Sequence, residues 1–459
     1  MSKGSARMKS LRSAFTGMPP GRASWHRSGR LLLLAGIAAC ASYGPASAQN
    51  ALVTPQLIGR PDAPVSISIS PRFAYSHQTN MAARRDVLVE AFEGWVRRNP
   101  DVKIQVVVQQ GDDAVGRTKL VQDATAGRAP DAVMIEQIAY PVFYSLAQSF
   151  DPYLTQKEIA DFFPGVLQGM KDPKSGEVKF LQFTSYTSGL WYRRDLVSAA
   201  PTTLEELRTE AKRLKDEKQF RYGLFALGGT EILQNHLLPH VTAAGGEIFN
   251  NGQPVFGEPK NKEALVKVLS YWKDVVKSGT APAQITSASG TGDVTSRVAA
   301  DEMPFILGGS FFSSGIIGTG KAENWAFAPM PQFAGAPRVQ YQGGWSWAMF
   351  TKDKAKQALV ADLLMEVYVG RDGMARWGKA GGYTPTRLSV MEEHTAFVND
   401  RLANSFAQAV ASATALPNNR YVASVDAALT NAFQQVVIGS ATPEKAVDEA
   451  WATVQGQMR

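Results

Sequence analysis

The sequence predicts an exported α/β protein of two lobes, the first of them built on a parallel sheet. Three observations predict it. Between residues 65 and 135 the apolar pattern alternates between period two and period 3.6, as strand, helix, strand, helix, strand. That is the rhythm of parallel strands joined by crossover helices. The chain of 459 residues exceeds what one hydrophobic core normally serves. Its first 48 residues read as a leader removed on export.

The leader is basic at its head, with Lys3, Arg7, Lys9, Arg12, Arg22, Arg27 and Arg30 and no acid before residue 31. An apolar run from Leu31 to Ala41 follows, then the small-residue site Ala46-Ser47-Ala48 before Gln49. The run is too short to span a bilayer, which takes about 20 residues. The expected cut follows Ala48 and puts the mature chain in the periplasm. The alternative is a lipid anchor, because Ile37-Ala38-Ala39-Cys40 resembles a lipobox that would make Cys40 the modified N-terminus. With the leader go seven of the 48 Lys and Arg, leaving 41 against 41 Asp and Glu. The basic balance therefore belongs to the export signal, and no nucleic-acid partner is expected. Cys40 is the single cysteine, so cleavage after Ala48 removes all thiol and disulfide chemistry.

Residues 49–61 are a polar lead-in containing proline. Val65, Ile67 and Ile69 alternate with serines as a half-buried strand. Leu88, Ala91, Phe92, Trp95 and Val96 recur at helical spacing, with Arg84, Arg85, Arg97 and Arg98 placed outside. Asn99-Pro100-Asp101 stops that helix. Val102, Ile104, Val106 and Val108 form the next strand, residues 120–126 a short helix, and residues 131–135 a buried strand. Residues 180–192 read as one extended stretch opening the second lobe. Thr203-Leu204-Glu205-Glu206 is a capping box for a helix burying Leu204, Leu207, Ala211 and Leu214. Residues 222–227 read as a strand, 261–276 as a helix and 286–292 as a mobile Gly/Ser/Thr segment. Strands at 303–307 and 325–329 follow, and a final helix opens with Pro443 in its first turn.

Enzymatic constellations are missing. His236 and His240 have the spacing of a zinc pair, but no Glu follows His236 and Pro239 is expected to break their helix. No metal or cofactor is predicted. The chain has no Gly-x-Ser-x-Gly elbow, no Walker loop and no dinucleotide fingerprint after a strand.

Polar and aromatic residues crowd the ends of the predicted strands instead. They include Ser76 and His77 after the first, Asp112 after the second and Glu136 after the third. Ser185 and Tyr186, Glu231, Ser310, Gly344 and Trp345, and Tyr383 stand at comparable places further on. Ligands of open parallel sheets bind beyond the carboxyl ends of strands. Aromatic faces, carboxylates, hydroxyls and glycines together suit a polyhydroxylated small molecule.

The order of several stretches resembles the extracellular solute-binding proteins of the maltose-binding and glycerol-3-phosphate-binding type. They are Phe92 to Val108, Ala126 to Asp131, Lys179 to Leu196, Thr202 to Leu214 and Gly245 to Asn250, then Trp325 to Pro331, Gly343 to Trp347 and Gly382 to Arg387. The resemblance covers residues 62–459. It implies a two-lobed periplasmic-binding-protein fold with the ligand cleft between lobes joined by a multi-crossover hinge. Residues 62–182 and 340–380 would form lobe 1, and residues 183–339 and 381–459 lobe 2. It further implies a non-enzymatic, monomeric component of an ABC importer that presents a mono- or oligosaccharide to its membrane permease.

By position, Glu136 matches the family's ligand-binding carboxylate. Ser185 or Tyr186 falls in the hinge, and Ser310, Gly344 and Tyr383 match polar, backbone and aromatic contacts. Arg420 falls near the phosphate-facing arginine of glycerol-phosphate binders, so a phosphorylated polyol is the alternative ligand; a surface arginine packed on Tyr421 is the other reading of Arg420. The tryptophan that phosphodiester binders carry after the 222–227 strand is replaced by Gly228-Gly229-Thr230-Glu231, which favours a neutral sugar. A receptor presenting ligand to a membrane sensor reads the same way. The remote alternative is a secreted glycoside hydrolase using Glu136 and Asp112.

Overall fold

A computed structural model describes residues 52–109, 113–229, 232–395, 397–417 and 419–458. The leader with Cys40, the start of the lead-in, Asp112 and Glu231 lie outside the described residues. In chain order the strands of the two six-stranded sheets are β1 (Leu57–Ile58), β2 (Val65–Ser70), β3 (Val102–Val106), β4 (Ala132–Glu136), β5 (Phe180–Gln182) and β6 (Tyr186–Arg193). They continue as β7 (Leu224–Ala226), β8 (Phe305–Gly309), β9 (Trp325–Pro329), β10 (Tyr341–Gly343), β11 (Trp345–Met349) and β12 (Thr414–Ala415). The helices used below are α1 (Ala82–Arg98), α2 (Asp113–Thr125), α3 (Leu204–Lys218), α4 (Pro259–Lys277), α5 (Arg371–Gly381), α6 (Val422–Ile438) and α7 (Pro443–Met458).

The first lobe is built on a sheet of order β1-β3-β2-β4-β11-β5. Its centre, β3, β2 and β4, is parallel as the periodicity predicts. β11 inserts antiparallel between β4 and β5, and β1 runs antiparallel to β3, so the whole sheet is mixed. Both faces of β4 are covered: Ala132 and Met134 join one core, Val133 and Ile135 the other. Burial on both faces is why this strand reads as a continuous apolar run rather than an alternation. α1 buries Leu88, Ala91, Phe92, Trp95 and Val96, the stripe its sequence predicts.

Arg84 departs from that pattern. It is 4 % exposed and donates from Nη2 to Gly381 O at 2.9 Å, with its guanidinium over the Tyr383 ring. The carbonyls at the end of α5 attract a cation, which offsets its removal from water.

The second lobe is built on a sheet of order β12-β10-β6-β8-β7, with β9 also paired to β6. α3, α4, α6 and α7 contribute Leu207, Trp272, Phe433 and Val454 to its core. The capping box of α3 forms as read: Glu206 N–H donates to Thr203 Oγ1, and Thr203 N–H to the Glu206 carboxylate. Four local expectations change. α2 begins at Asp113, earlier than its apolar pattern indicates. Residues 180–192 are two strands in different sheets, not one stretch. Thr291 and Gly292, within the expected loop, open a helix. The helical run through His236 and His240 continues past Pro239, because a π turn over Leu233–Leu237 widens the backbone just before it.

The chain passes from one sheet to the other at residues 183–185, between β5 and β6, and passes back at Gly344, between β10 and β11. The two crossings run side by side. Phe183 N–H donates to Trp345 O at 3.1 Å, Trp345 N–H to Thr184 Oγ1 at 3.1 Å, and Ser185 Oγ to Gln342 Oε1 at 3.0 Å. Further on, the Arg401–Ala411 helix touches both cores, Leu402 and Phe406 packing with the second and Ala403 and Val410 with the first. This is a two-lobed fold with its hinge made of adjacent crossings.

Candidate ligand-binding cleft

The carboxyl ends of β2 and β4 are held at one edge by Gln109, whose Nε2 donates to Ser70 O at 2.6 Å and Met134 O at 2.9 Å. Glu136 ends β4 there, in register with Trp345 of β11. The Arg72 guanidinium lies 5.0 Å from the Trp345 ring centre, and Tyr75 packs against the same ring. Arg72, Gln109, Arg117, Glu136 and Trp345 line a small inner pocket of about 30 Å³, room for one or two water molecules.

Past Glu136 and Arg117 the space opens into a chamber of about 610 Å³. Arg117, Ile138 and Val142 form its first-lobe wall; Gln234, Asn419, Arg420 and Asp426 belong to the second. This volume lies within the range of small-ligand sites. One side chain spans the two lobes at its base. The Tyr186 hydroxyl, on β6, donates to Glu136 Oε1 at 2.9 Å and lies 3.1 Å from Gln234 Oε1. Its ring crosses the hinge over Gly343, where a Cβ would come within 2.6 Å of the hydroxyl. A carboxylate at a strand terminus, an arginine-lined wall and a facing amide can bind hydroxyls and charge from both sides.

Residues 88–404 match the family model described as bacterial extracellular solute-binding protein. The chain belongs to that family. Solved structures similar to this solute-binding protein share its fold at low identity. The GacH receptor of Streptomyces glaucescens, solved in complex with acarbose, matches with a TM-score of 0.70 at 18 % identity, over 85 % of this chain and 97 % of its own. Maltose-bound MalE3 of T. maritima matches at 0.71 and 19 %, over 86 % of this chain and 100 % of its own. An ABC transporter solute-binding protein from Thermotoga lettingae, bound to α-D-tagatose, matches at 0.67 and 20 %, over 85 % and 98 %. Family and fold are those of binding proteins, not enzymes. No helix among the described residues is long and apolar enough to cross a membrane.

The solute-binding protein brings only some of the expected site residues to the cleft. Glu136 and Trp345 line the inner pocket, Glu136 and Arg420 the chamber, and Tyr186 its base. Arg420 also lies 4.7 Å from the Tyr421 ring centre and donates to its hydroxyl at 2.5 Å, so it packs on Tyr421 while facing the chamber. Ser76 is buried and bonds Phe73 O at 2.9 Å within its own turn. His77 is buried against Phe92 with Nε2 2.9 Å from Thr54 O, and burial lowers its pKa. Ser185 belongs to the hinge, and Ser310 Oγ accepts the Thr187 N–H at 3.2 Å. Gly344 closes the second crossing, and Tyr383 packs at a tilt against Tyr75 under Arg84.

His236 and His240 bond different carbonyls, Leu227 O and Pro331 O, each at 3.0 Å. Burial pushes them down to about 3 and about 4, keeping both neutral. Among the described residues no cluster of three or more His, Cys, Asp or Glu is gathered for a metal ion.

Arg72, Arg117, Gln234, Asn419 and Asp426 were not marked by the sequence. Arg72 had a usable signal, since it stands two residues beyond the end of β2. The other four lie on helices, or at a helix start, where only lobe docking decides what they face. Asp426 accepts the Leu233 N–H at 3.0 Å, and burial pushes its carboxyl up to about 6. A carboxyl raised above its unfolded value gives its full stability below about pH 4 and loses it as pH rises through about 6. Asp426→Asn keeps the acceptor and removes the charge. It should stabilise the ligand-free protein by about 1–3 kcal/mol at pH 7.5 and by almost nothing at pH 4. Melting curves of both proteins at the two pH values check this; an equal difference at both would sink it.

Proposed function

We propose that this protein is the substrate-binding component of an ABC importer, capturing a carbohydrate between its lobes in the periplasm and presenting it to a membrane permease. The observation that carries the reading is the meeting of Glu136 from the first lobe with Tyr186 and Gln234 from the second. A polyol seated there would exchange hydroxyl hydrogen bonds with both lobes at once. Contacts made only in the closed form supply the free energy of closure, and the closed shape is what a permease can read. The ligands bound in the similar structures, acarbose, maltose and α-D-tagatose, agree in class.

Thermal melting of residues 49–459 against sugars and polyols tests the reading. A ligand at a hundredfold its dissociation constant raises stability by about 2.7 kcal/mol when it binds only the folded state. A shift confined to one sugar or a small set supports capture of that class. No shift with any sugar or polyol, charged or neutral, defeats it.

A further inference from the structure

The chamber's electrostatics go further than a neutral ligand requires. Two guanidiniums line it, Arg117 from α2 of the first lobe and Arg420 from just before α6 of the second. Among the described residues neither forms an ion pair with a carboxylate, although Arg420 is steadied by the Tyr421 ring. Two arginines lining one cleft with no ion-pair partner among the described residues favour an anion between them.

Three further features sit on the Arg420 side. α6 is 17 residues long and starts at the chamber, with Val422 and Ala423 in the lining. Its N-cap residue, Tyr421, supplies no side-chain acceptor to the first turn. A helix of this length presents partial positive charge at that end. Asn419, also in the lining, is 5 % exposed. Its Oδ1 accepts the Tyr421 N–H at 2.8 Å, which fixes the amide's orientation, and among the described residues its Nδ2 has no partner. A buried N–H₂ donor without an acceptor is costly and calls for one.

The two lining carboxylates match the guanidiniums in number, but neither is ion-paired with them among the described residues and both already accept hydrogen bonds. Glu136 is engaged by Tyr186 at the chamber's inner end, and Asp426 by the Leu233 amide. Apart from Tyr186 at its base, there is no aromatic ring among the described residues of the chamber, so the wall is shaped for charge and hydroxyls more than for stacking.

We propose that the ligand is an acidic carbohydrate, a sugar or sugar-derived polyol bearing one carboxylate, sulfonate or phosphate. Its anionic group is gripped between Arg117 of the first lobe and Arg420, Asn419 and the start of α6 in the second. Its hydroxyls face Glu136, Gln234 and Asp426. The proposal rests on the carbohydrate reading and narrows it. Because the anion bridges the lobes, closure depends on the acid group as well as on the sugar.

Calorimetric titration of residues 49–459 tests it with matched pairs: glucuronate against glucuronamide, glucose 6-phosphate and glycerol 3-phosphate against glucose and glycerol, and inorganic phosphate and sulfate alone. At least one acidic member should bind about thirtyfold or more tighter than its neutral partner, with the advantage shrinking as salt rises. Arg117→Ala and Arg420→Ala should each remove most of that advantage, weakening binding of the acidic ligand at least about tenfold more than that of its neutral partner. Arg420→Lys should restore part of it, because lysine keeps the charge and loses the fork. Both side chains face the chamber, so melting temperatures report whether the variants stay folded. Neutral sugars binding as well as acidic ones, or both alanine variants keeping the acid preference, would overturn this proposal and leave sugar capture standing. Binding of inorganic anions alone, or of nothing in the panel, would overturn both.

Discussion

Glu136→Gln should lower ligand affinity by about 4- to 13-fold and leave the fold in place. Glu136 is the last residue of β4, its backbone held by the register pair with Trp345 and its carboxylate facing both the inner pocket and the chamber. A hydrogen bond to a charged group contributes about 1.5–3 kcal/mol, roughly twice a neutral one. Glutamine keeps the size and one acceptor, so the Tyr186 hydroxyl retains its partner in the free protein. The loss should therefore appear in binding and not in melting. Titration calorimetry with the ligand found by melting, beside unliganded melting curves, separates the two. An affinity within threefold of wild type would remove Glu136 from the ligand's contacts.

Gly344→Ala should destabilise the protein by about 3 kcal/mol or more, roughly 4 °C in melting temperature at this chain length. A Cβ at Gly344 would lie 1.9 Å from Thr184 O and 2.5 Å from Gln182 Nε2. Thr184 is the neighbouring crossing, so what must move is hinge backbone, not the end of a flexible side chain. Gly344 O also accepts the Gln137 N–H at 2.9 Å, which ties the crossing to the residue after Glu136. The same substitution at Gly456, in α7 with nothing within 4 Å of its would-be Cβ, should be neutral or stabilising by up to about 1 kcal/mol. Melting both variants side by side decides whether crowding at the crossing, rather than loss of glycine, is responsible. A Gly344→Ala protein that melts with wild type would mean the crossings separate freely.

The two variants probe different links. Glu136 acts through a contact that only a ligand completes, and Gly344 through backbone packing already present in the free protein. If the lobes close on ligand as their double crossing suggests, Gly344→Ala should also weaken ligand binding, whereas Glu136→Gln should not alter the hinge.

The sequence by itself determined the elements that depend on near neighbours. The buried stripe of α1, the parallel core of β3, β2 and β4 and the capping box of α3 were legible because helix and strand periods repeat within a few residues. The place of Glu136 at the end of a buried strand was legible as well, since the apolar run of β4 stops there. Tertiary structure alone decided how distant segments meet. It placed β11 between β4 and β5, split residues 180–192 between two sheets and buried Arg84 against α5. It also turned Ser76 and His77 into local packing and brought Arg117, Gln234 and Asp426 to one chamber. Periodicity says which face of a helix is apolar. It does not say which wall the polar face will meet, because that follows from docking two lobes whose contacting residues lie hundreds of positions apart.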